Sequence, residues 1–340
     1  VWGAGMVARV HAEACRSLGW RVAAVAAPTA ARAQALAGDI GARAVSGVEA
    51  TSDRLADIAI VATPPAAHVD DAIALLDAGY HVVVEAPLAC TLADADRLRA
   101  AEERVGRPIL YSEHLAASPA IDAVLAELGE LGHPTHLSAR AFQTPPTWRT
   151  ADRRRSWGGG ALFDLGVHPI GLVLRVAAEL DTGPPRTVAA VITDADSDRE
   201  HATATIGFDG GLQSRVTVGW QPDTAADWDL QVSSASAVLR VEWYPAPSVE
   251  LNGDPLPIAG ATARPAGPVS LVDDYGYAAQ LSRFWATVRT GRPVPATSQL
   301  GQSVLDVIAG AHWSAGHGAV EVALPFGGSR DATPADLLAI

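Results

Sequence analysis

Apolar and polar positions in the first third of the chain follow two alternating rhythms. Short apolar runs at residues 1–2, 21–26, 58–62, 82–84 and 109–111 predict buried strands. Between them, apolar positions three and four apart predict helices over 7–18, 30–37, 67–78 and 92–105. Strand–helix alternation with short connections predicts a doubly wound, parallel α/β sheet of the Rossmann type.

After about residue 115 the rhythm changes. A helix is predicted over 119–128, a half-buried strand over 135–142 and a helix over 160–178. Four strand-like stretches follow, at 187–193, 202–208, 212–220 and 230–242, with "FDGGLQ" as a hairpin turn between the second and third. Residues 246–267, rich in Pro and Gly, read as a loop, and helices over 275–289 and 299–315 close the chain. This half predicts an α+β domain with an antiparallel sheet. The expected division is therefore 1–115, with its first strand truncated and the true N-terminus missing, and 116–340.

Composition narrows the classes. With 340 residues, 49% hydrophobic and 19% charged, the chain has an ordinary globular make-up, and no apolar run is long enough to span a bilayer. A net charge of −13 argues against nucleic acid or an anionic membrane as main partner. Cys15 and Cys90 alone form no disulfide framework or metal-ligand spacing, so no metal is expected and a reducing cytoplasm is. All 25 basic residues counted as Lys+Arg are arginine. Codon bias is the simpler reason, and avoidance of amines that form Schiff bases near an electrophilic substrate is the other. In either case no step here can use a lysine.

"GAGMVA", residues 3–8, fits G-x-G-x-x-G/A between a strand and a helix. Small residues there let backbone N–H groups approach a pyrophosphate at a helix N-terminus. The acidic residue expected after the second strand, to bind a ribose 2′-hydroxyl, is missing: Ala26, Ala27 and Pro28 stand there. Arg32 is the one nearby cation for a 2′-phosphate, so NAD and NADP both stay open, with weakened binding of either as a further alternative.

Four ordered motifs then add up. They are "GAGMVARVHAEA", "ATPPAAHVDDAIALLDAGYHVVVEAPLA", "WGGGALFDLGVHPIGL" and "YAAQLSRFWATVRTGRPVP". Over nearly its full length the chain resembles the Gfo/Idh/MocA oxidoreductase family. The resemblance implies a large open antiparallel sheet in the second domain, homo-oligomers built through that sheet, and NAD(P)-dependent redox chemistry at a sugar-like or related compound. It places Gly3, Gly5, Met6, Val7, Thr63, Pro64, His68 and Glu85 around the cofactor. In such proteins the fourth strand ends in Glu-Lys-Pro, whose lysine helps move the proton of the reacting oxygen. This chain has Glu85-Ala86-Pro87. Glu85 also reads as a strand-end carboxylate that caps a helix.

The remaining chemistry is sought elsewhere. Asp164 and His168 lie four apart on the helix expected over 160–178, so both should project from one face, with Gly158 to Gly160 admitting substrate to the helix start. The resemblance makes Asp164 the substrate-orienting group and His168 the acid/base. Pro169 should bend that helix, and Gly171 stands where the family often has another Asp. Glu113 and His114 follow the fifth strand, and His114 is a candidate substitute proton donor or a plain loop histidine. Arg149 and Trp157, in an Arg-rich loop, are candidate substrate contacts; Arg149 would suit an anionic substrate. The expected function is an atypical NAD(P)-dependent oxidoreductase acting on a hydroxyl, carbonyl or imine of a small polar substrate. The alternatives are a non-redox lyase, isomerase or cyclase, and a catalytically silent protein on the same fold.

Overall fold

A computed structural model describes residues 1–146, 158–195, 197–222, 225–259, 270–292 and 296–339. The first half is a parallel sheet. Strands β1 (Ala24–Ala26) and β2 (Arg43–Val45) pair with each other, and β3 (Ile58–Val61), β4 (His81–Glu85) and β5 (Ile109–Ser112) form a second set. Trp2 bridges Ala26 on one side and Val61 on the other, joining the two sets into one doubly wound surface. Helices α1 (Met6–Ser17), α2 (Ala30–Ile40), α3 (Gly47–Asp53), α4 (His68–Asp77) and α5 (Leu92–Val105) supply the crossovers.

The unbroken run Val82–Val83–Val84 is explained by this arrangement. β4 lies between β3 and β5, and all three valines have no exposed surface. A strand covered on both faces has no reason to alternate. In register, Val84 sits beside Val61 and Tyr111, and Glu85 beside Ser112. The strand ends of β4 and β5 are thereby side by side.

Helix α6 (Pro119–Glu127) leads into the second half. There, among the described residues, nine strands form one sheet: β6 (His136–Gln143), β7 (Pro185–Thr193), β8 (His201–Phe208), β9 (Gln213–Trp220), β10 (Asp227–Ser233), β11 (Val238–Glu242), β12 (Ser248–Leu251), β13 (Asp254–Pro255) and β14 (Val322–Ala323). The spatial order is β13-β12-β11-β10-β6-β9-β8-β7-β14, and among the described residues only β6 and β9 run parallel. In β8 the alternate residues Ala202, Ala204, Ile206 and Phe208 are buried, which fixes the face that meets the helices. Those helices are α7 (Ala161–Asp164), α8 (Val167–Glu179) and α10 (Ser298–Gly316); α9 (Tyr277–Thr290) packs instead on α1, and α11 (Pro334–Leu338) closes on α10. Thr297, just before α10, pairs antiparallel with Leu110, so the end of the chain borders the first sheet.

Three sequence expectations change. The stretch 230–242 is a hairpin, β10 and β11, whose turn is held by Ser234 and Ala237. Residues 246–267 are not all loop, because β12 and β13 extend the sheet edge over 248–255. The helix expected over 160–178 is two helices broken at Leu165 and Gly166. The break falls before His168 and not just after it, and Pro169 sits in the first turn of α8, where its missing N–H is not needed.

Candidate active site

The C-terminal ends of the parallel strands carry the site. Gly3 has φ +124°, and a side chain on it would meet the Ala62 carbonyl oxygen at 2.2 Å. That position must be glycine for the first turn to cross the end of β3. Gly5 is different: a Cβ there meets nothing within 4 Å. Gly5 precedes α1 without a side-chain cap, and Met6 beside it is 68% exposed. The first-turn N–H groups of α1 thus face open space, as a pyrophosphate cradle requires. Val7 is half-buried in the same turn and Pro64 is exposed across from it, at the end of β3.

The other expected cofactor residues are turned inward. Thr63 is buried and donates from Oγ1 to Asp71 at 2.8 Å. His68 is 1% exposed, with Nδ1 2.8 Å from the Pro87 carbonyl and Nε2 2.8 Å from the Thr63 carbonyl. It joins the loop after β3 to the loop after β4 and offers no ring nitrogen to a ligand. At the ribose end, Ala27 is half-buried and Arg32 exposed on α2.

Glu85 caps no helix. It is buried, with Oε1 2.5 Å from His11 Nε2 and accepting the Ser112 hydroxyl at 2.6 Å. Ser112 in turn accepts from Gln280 Nε2 at 2.9 Å. Burial opposes the charge of Glu85, but these partners hold its pKa below the ordinary carboxylate value. Ala86 beside it is half-buried and brings no functional group.

His168 lies one strand over. Its Nδ1 is 2.9 Å from Glu113 Oε2, and Glu113 directly follows Ser112, the neighbour of Glu85. Burial works against a charged imidazole, yet the adjacent Glu113 carboxylate, with Glu85 and Asp164, raises the His168 pKa above its ordinary value. Burial likewise raises that of Glu113. The His168 ring packs against Trp228 at 5.4 Å and against His114 at 4.9 Å between centroids.

His114 is no exposed loop residue. It is 6% exposed, stacks on Tyr277 at 4.3 Å, and its Nδ1 meets the Tyr275 carbonyl at 2.9 Å. A carbonyl only accepts, so Nδ1 carries the hydrogen. Burial and the charge of His168 push its pKa down to about 3, which keeps it neutral. Nε2 is left with a lone pair.

Asp164 closes α7 and His168 opens α8, so the two do not share one continuous helix. The glycines before Asp164 also serve the protein itself. A Cβ on Gly160 would lie 1.9 Å from Glu200 Oε1, and that carboxylate accepts the Ala161 N–H at 2.5 Å. A Cβ on Gly159 would lie 2.6 Å from that of Phe163. The space is taken by Glu200 and Phe163 rather than left for substrate. Arg149 and Trp157 lie outside the described residues. Sequence reasoning named Glu113 without giving it a role and passed over His11, Trp228, Tyr277 and Gln280. Glu113 had one signal, its place just past a buried strand; the others are brought in by distant elements.

A cavity of about 420 Å³ lies at the opposite end of the first sheet, lined by Trp2, Val22, Ala24, Ile58 and Trp285. Ligands of such sheets bind outside the carboxyl ends of the strands, so this cavity is not the candidate site. Among the described residues no cluster could hold a metal ion, and no helix is long and apolar enough to cross a membrane.

A doubly wound sheet with an open glycine turn, followed by a large mainly antiparallel sheet, defines a class of NAD-binding oxidoreductases. Residues 1–114 match the oxidoreductase family model with NAD-binding Rossmann fold, and residues 123–239 match the GFO/IDH/MocA C-terminal domain. The chain belongs to the Gfo/Idh/MocA oxidoreductase family. It is 32% identical over 279 residues to an uncharacterized oxidoreductase of Rhizobium meliloti, covering 78% of this chain and 79% of that one. It is 32% identical over 234 residues to dTDP-3,4-didehydro-2,6-dideoxy-alpha-D-glucose 3-reductase of Streptomyces violaceoruber, covering 65% and 66%. The crystal structure of GenD2 from gentamicin A biosynthesis, in complex with NAD, shares the fold with a TM-score of 0.80, 24% identity and 95% of each chain covered.

Proposed function

We propose that this NAD-binding oxidoreductase acts on a hydroxyl, carbonyl or imine of a small polar, sugar-like substrate, with His168 as the group that moves the proton. The observation that supports it is the place of His168: it is bonded to the residue after β5, next to the strand end where Ala86 stands in place of a lysine. With Nδ1 held by Glu113, Nε2 is the ring nitrogen left for substrate. Protonated, it donates to a carbonyl oxygen or imine nitrogen; neutral, it accepts from a hydroxyl. A raised pKa suits the donor role near neutral pH. Asp164 and the neutral Nε2 of His114 orient hydroxyl groups of the substrate.

The cradle of Gly3, Gly5, Met6 and Val7 fits a dinucleotide pyrophosphate. The cofactor, when bound, supplies or accepts the hydride. No carboxylate stands at Ala27 to favour NAD, and Arg32 is the cation toward a 2′-phosphate, so NADH and NADPH are to be compared directly. Titration of both, read by nicotinamide fluorescence and thermal stability, tests the reading. Binding of either in the micromolar range supports it; no binding at millimolar cofactor sinks it. That negative outcome would favour the reading that Ala86 itself suggests, a non-redox enzyme or silent protein on this fold. We further propose a cytoplasmic homo-oligomer assembled through the second sheet, which sedimentation would test.

A further inference from the structure

We propose that Glu113 is the positioning residue of His168, fixing the orientation and proton occupancy of the imidazole, and that Gly171 leaves the room in which its carboxylate sits. The inference rests on the reading of His168 as the proton-transfer group. Glu113 has no exposed surface, so no water can take over its bond to His168 Nδ1 at 2.9 Å. An ionised carboxylate only accepts, so Nδ1 keeps its hydrogen in both states of the ring. Every proton exchanged with substrate then passes through Nε2.

Gly171 supplies the second observation. It lies inside α8, where glycine costs about 1 kcal/mol relative to alanine. Its backbone is not in the left-handed region, so conformation does not demand a glycine. Space does: a Cβ there would lie 2.9 Å from Glu113 Cγ, 3.3 Å from Cδ and 3.4 Å from Oε2. The methyl of an alanine would press on the carboxyl group that holds the histidine. Among the described residues, the other charged or titratable groups facing His168 are His114 from the segment after β5, Glu85 from β4 and Asp164 from α7. Of these and Glu113, only Glu113 forms a hydrogen bond to the His168 ring that fixes its tautomer.

The test needs neither substrate nor cofactor, so its failure is separable from failure of the oxidoreductase reading. NMR of the full chain carrying isotope-labelled histidine reads protonation and tautomer of each ring, and His168→Asn identifies the His168 signal among 10 histidines. In the unaltered protein His168 should hold hydrogen on Nδ1 and titrate above the ordinary value of about 6.5. Glu113→Gln should shift that midpoint down and scramble the tautomer. Gly171→Ala, which keeps both partners, should shift it in the same direction by less. A purely structural role would lower the melting temperature and leave the midpoint in place. An unchanged midpoint and tautomer in Gly171→Ala, or in a folded Glu113→Gln, overturns the proposal; should Glu113→Gln not fold, Gly171→Ala decides alone.

Discussion

His11 Nε2 lies 2.5 Å from Glu85 Oε1, with the His11 side chain wholly buried and that of Glu85 9% exposed. The contact ties the helix that follows the glycine turn to the strand end beside Ala86. Removing the carboxylate leaves the buried ring of His11 and the Ser112 hydroxyl without their acceptor, at a cost of about 1–3 kcal/mol. Glu85→Ala is therefore expected to lose that much stability in urea unfolding. A loss under about 1 kcal/mol would show that the pair does not carry the strand end.

The pH dependence of stability follows from the directions of the shifts. Glu85 has a depressed folded pKa, so its contribution is present above the unfolded carboxylate value and is lost as pH falls through the folded one. His168 has a raised folded pKa, so its contribution is full below the unfolded value of about 6.5 and lost as pH rises through the folded one. His168→Asn should flatten the alkaline slope of unfolding free energy against pH.

In turnover, His168→Asn should reduce kcat by about 10²–10⁴, the usual contribution of a positioned acid or base, with NADH affinity unchanged. Equal loss in cofactor affinity would place His168 in binding instead.

His114→Asn should leave the pH profile across the neutral range unchanged in shape, because a ring held neutral down to about 3 has no proton to give there. A lost alkaline limb in that variant would restore His114 as the acid.

The two glycines of the first turn separate fold from binding. Gly3→Ala collides with the Ala62 carbonyl in a strained backbone region and should lower the melting temperature markedly. Gly5→Ala has free space and should fold normally while weakening NADH binding. Normal NADH affinity in Gly5→Ala would mean that the cradle is not used.

How much of this could be read in the sequence depends on the range of the interactions. The Val82–Val84 run and the glycine turn are local patterns, and both elements stand where those patterns put them. The break between α7 and α8 was hidden, because the apolar spacing continues through Leu165 and Gly166 while the regular helical hydrogen bonding does not. The role of Gly160 was hidden too: the residue that needs its bare α-carbon is Glu200, forty positions on. The bond of His168 to Glu113 spans 55 positions and joins two separate elements. Local pattern cannot show which carboxylate a histidine will find when the candidates arrive on separate elements.

His68 acts as a strut between two loops. One end of its ring rests on the carbonyl of Thr63, beside the pyrophosphate cradle, and the other on that of Pro87, next to Ala86. The ring thereby sets the spacing between the turn after β3 and the turn after β4.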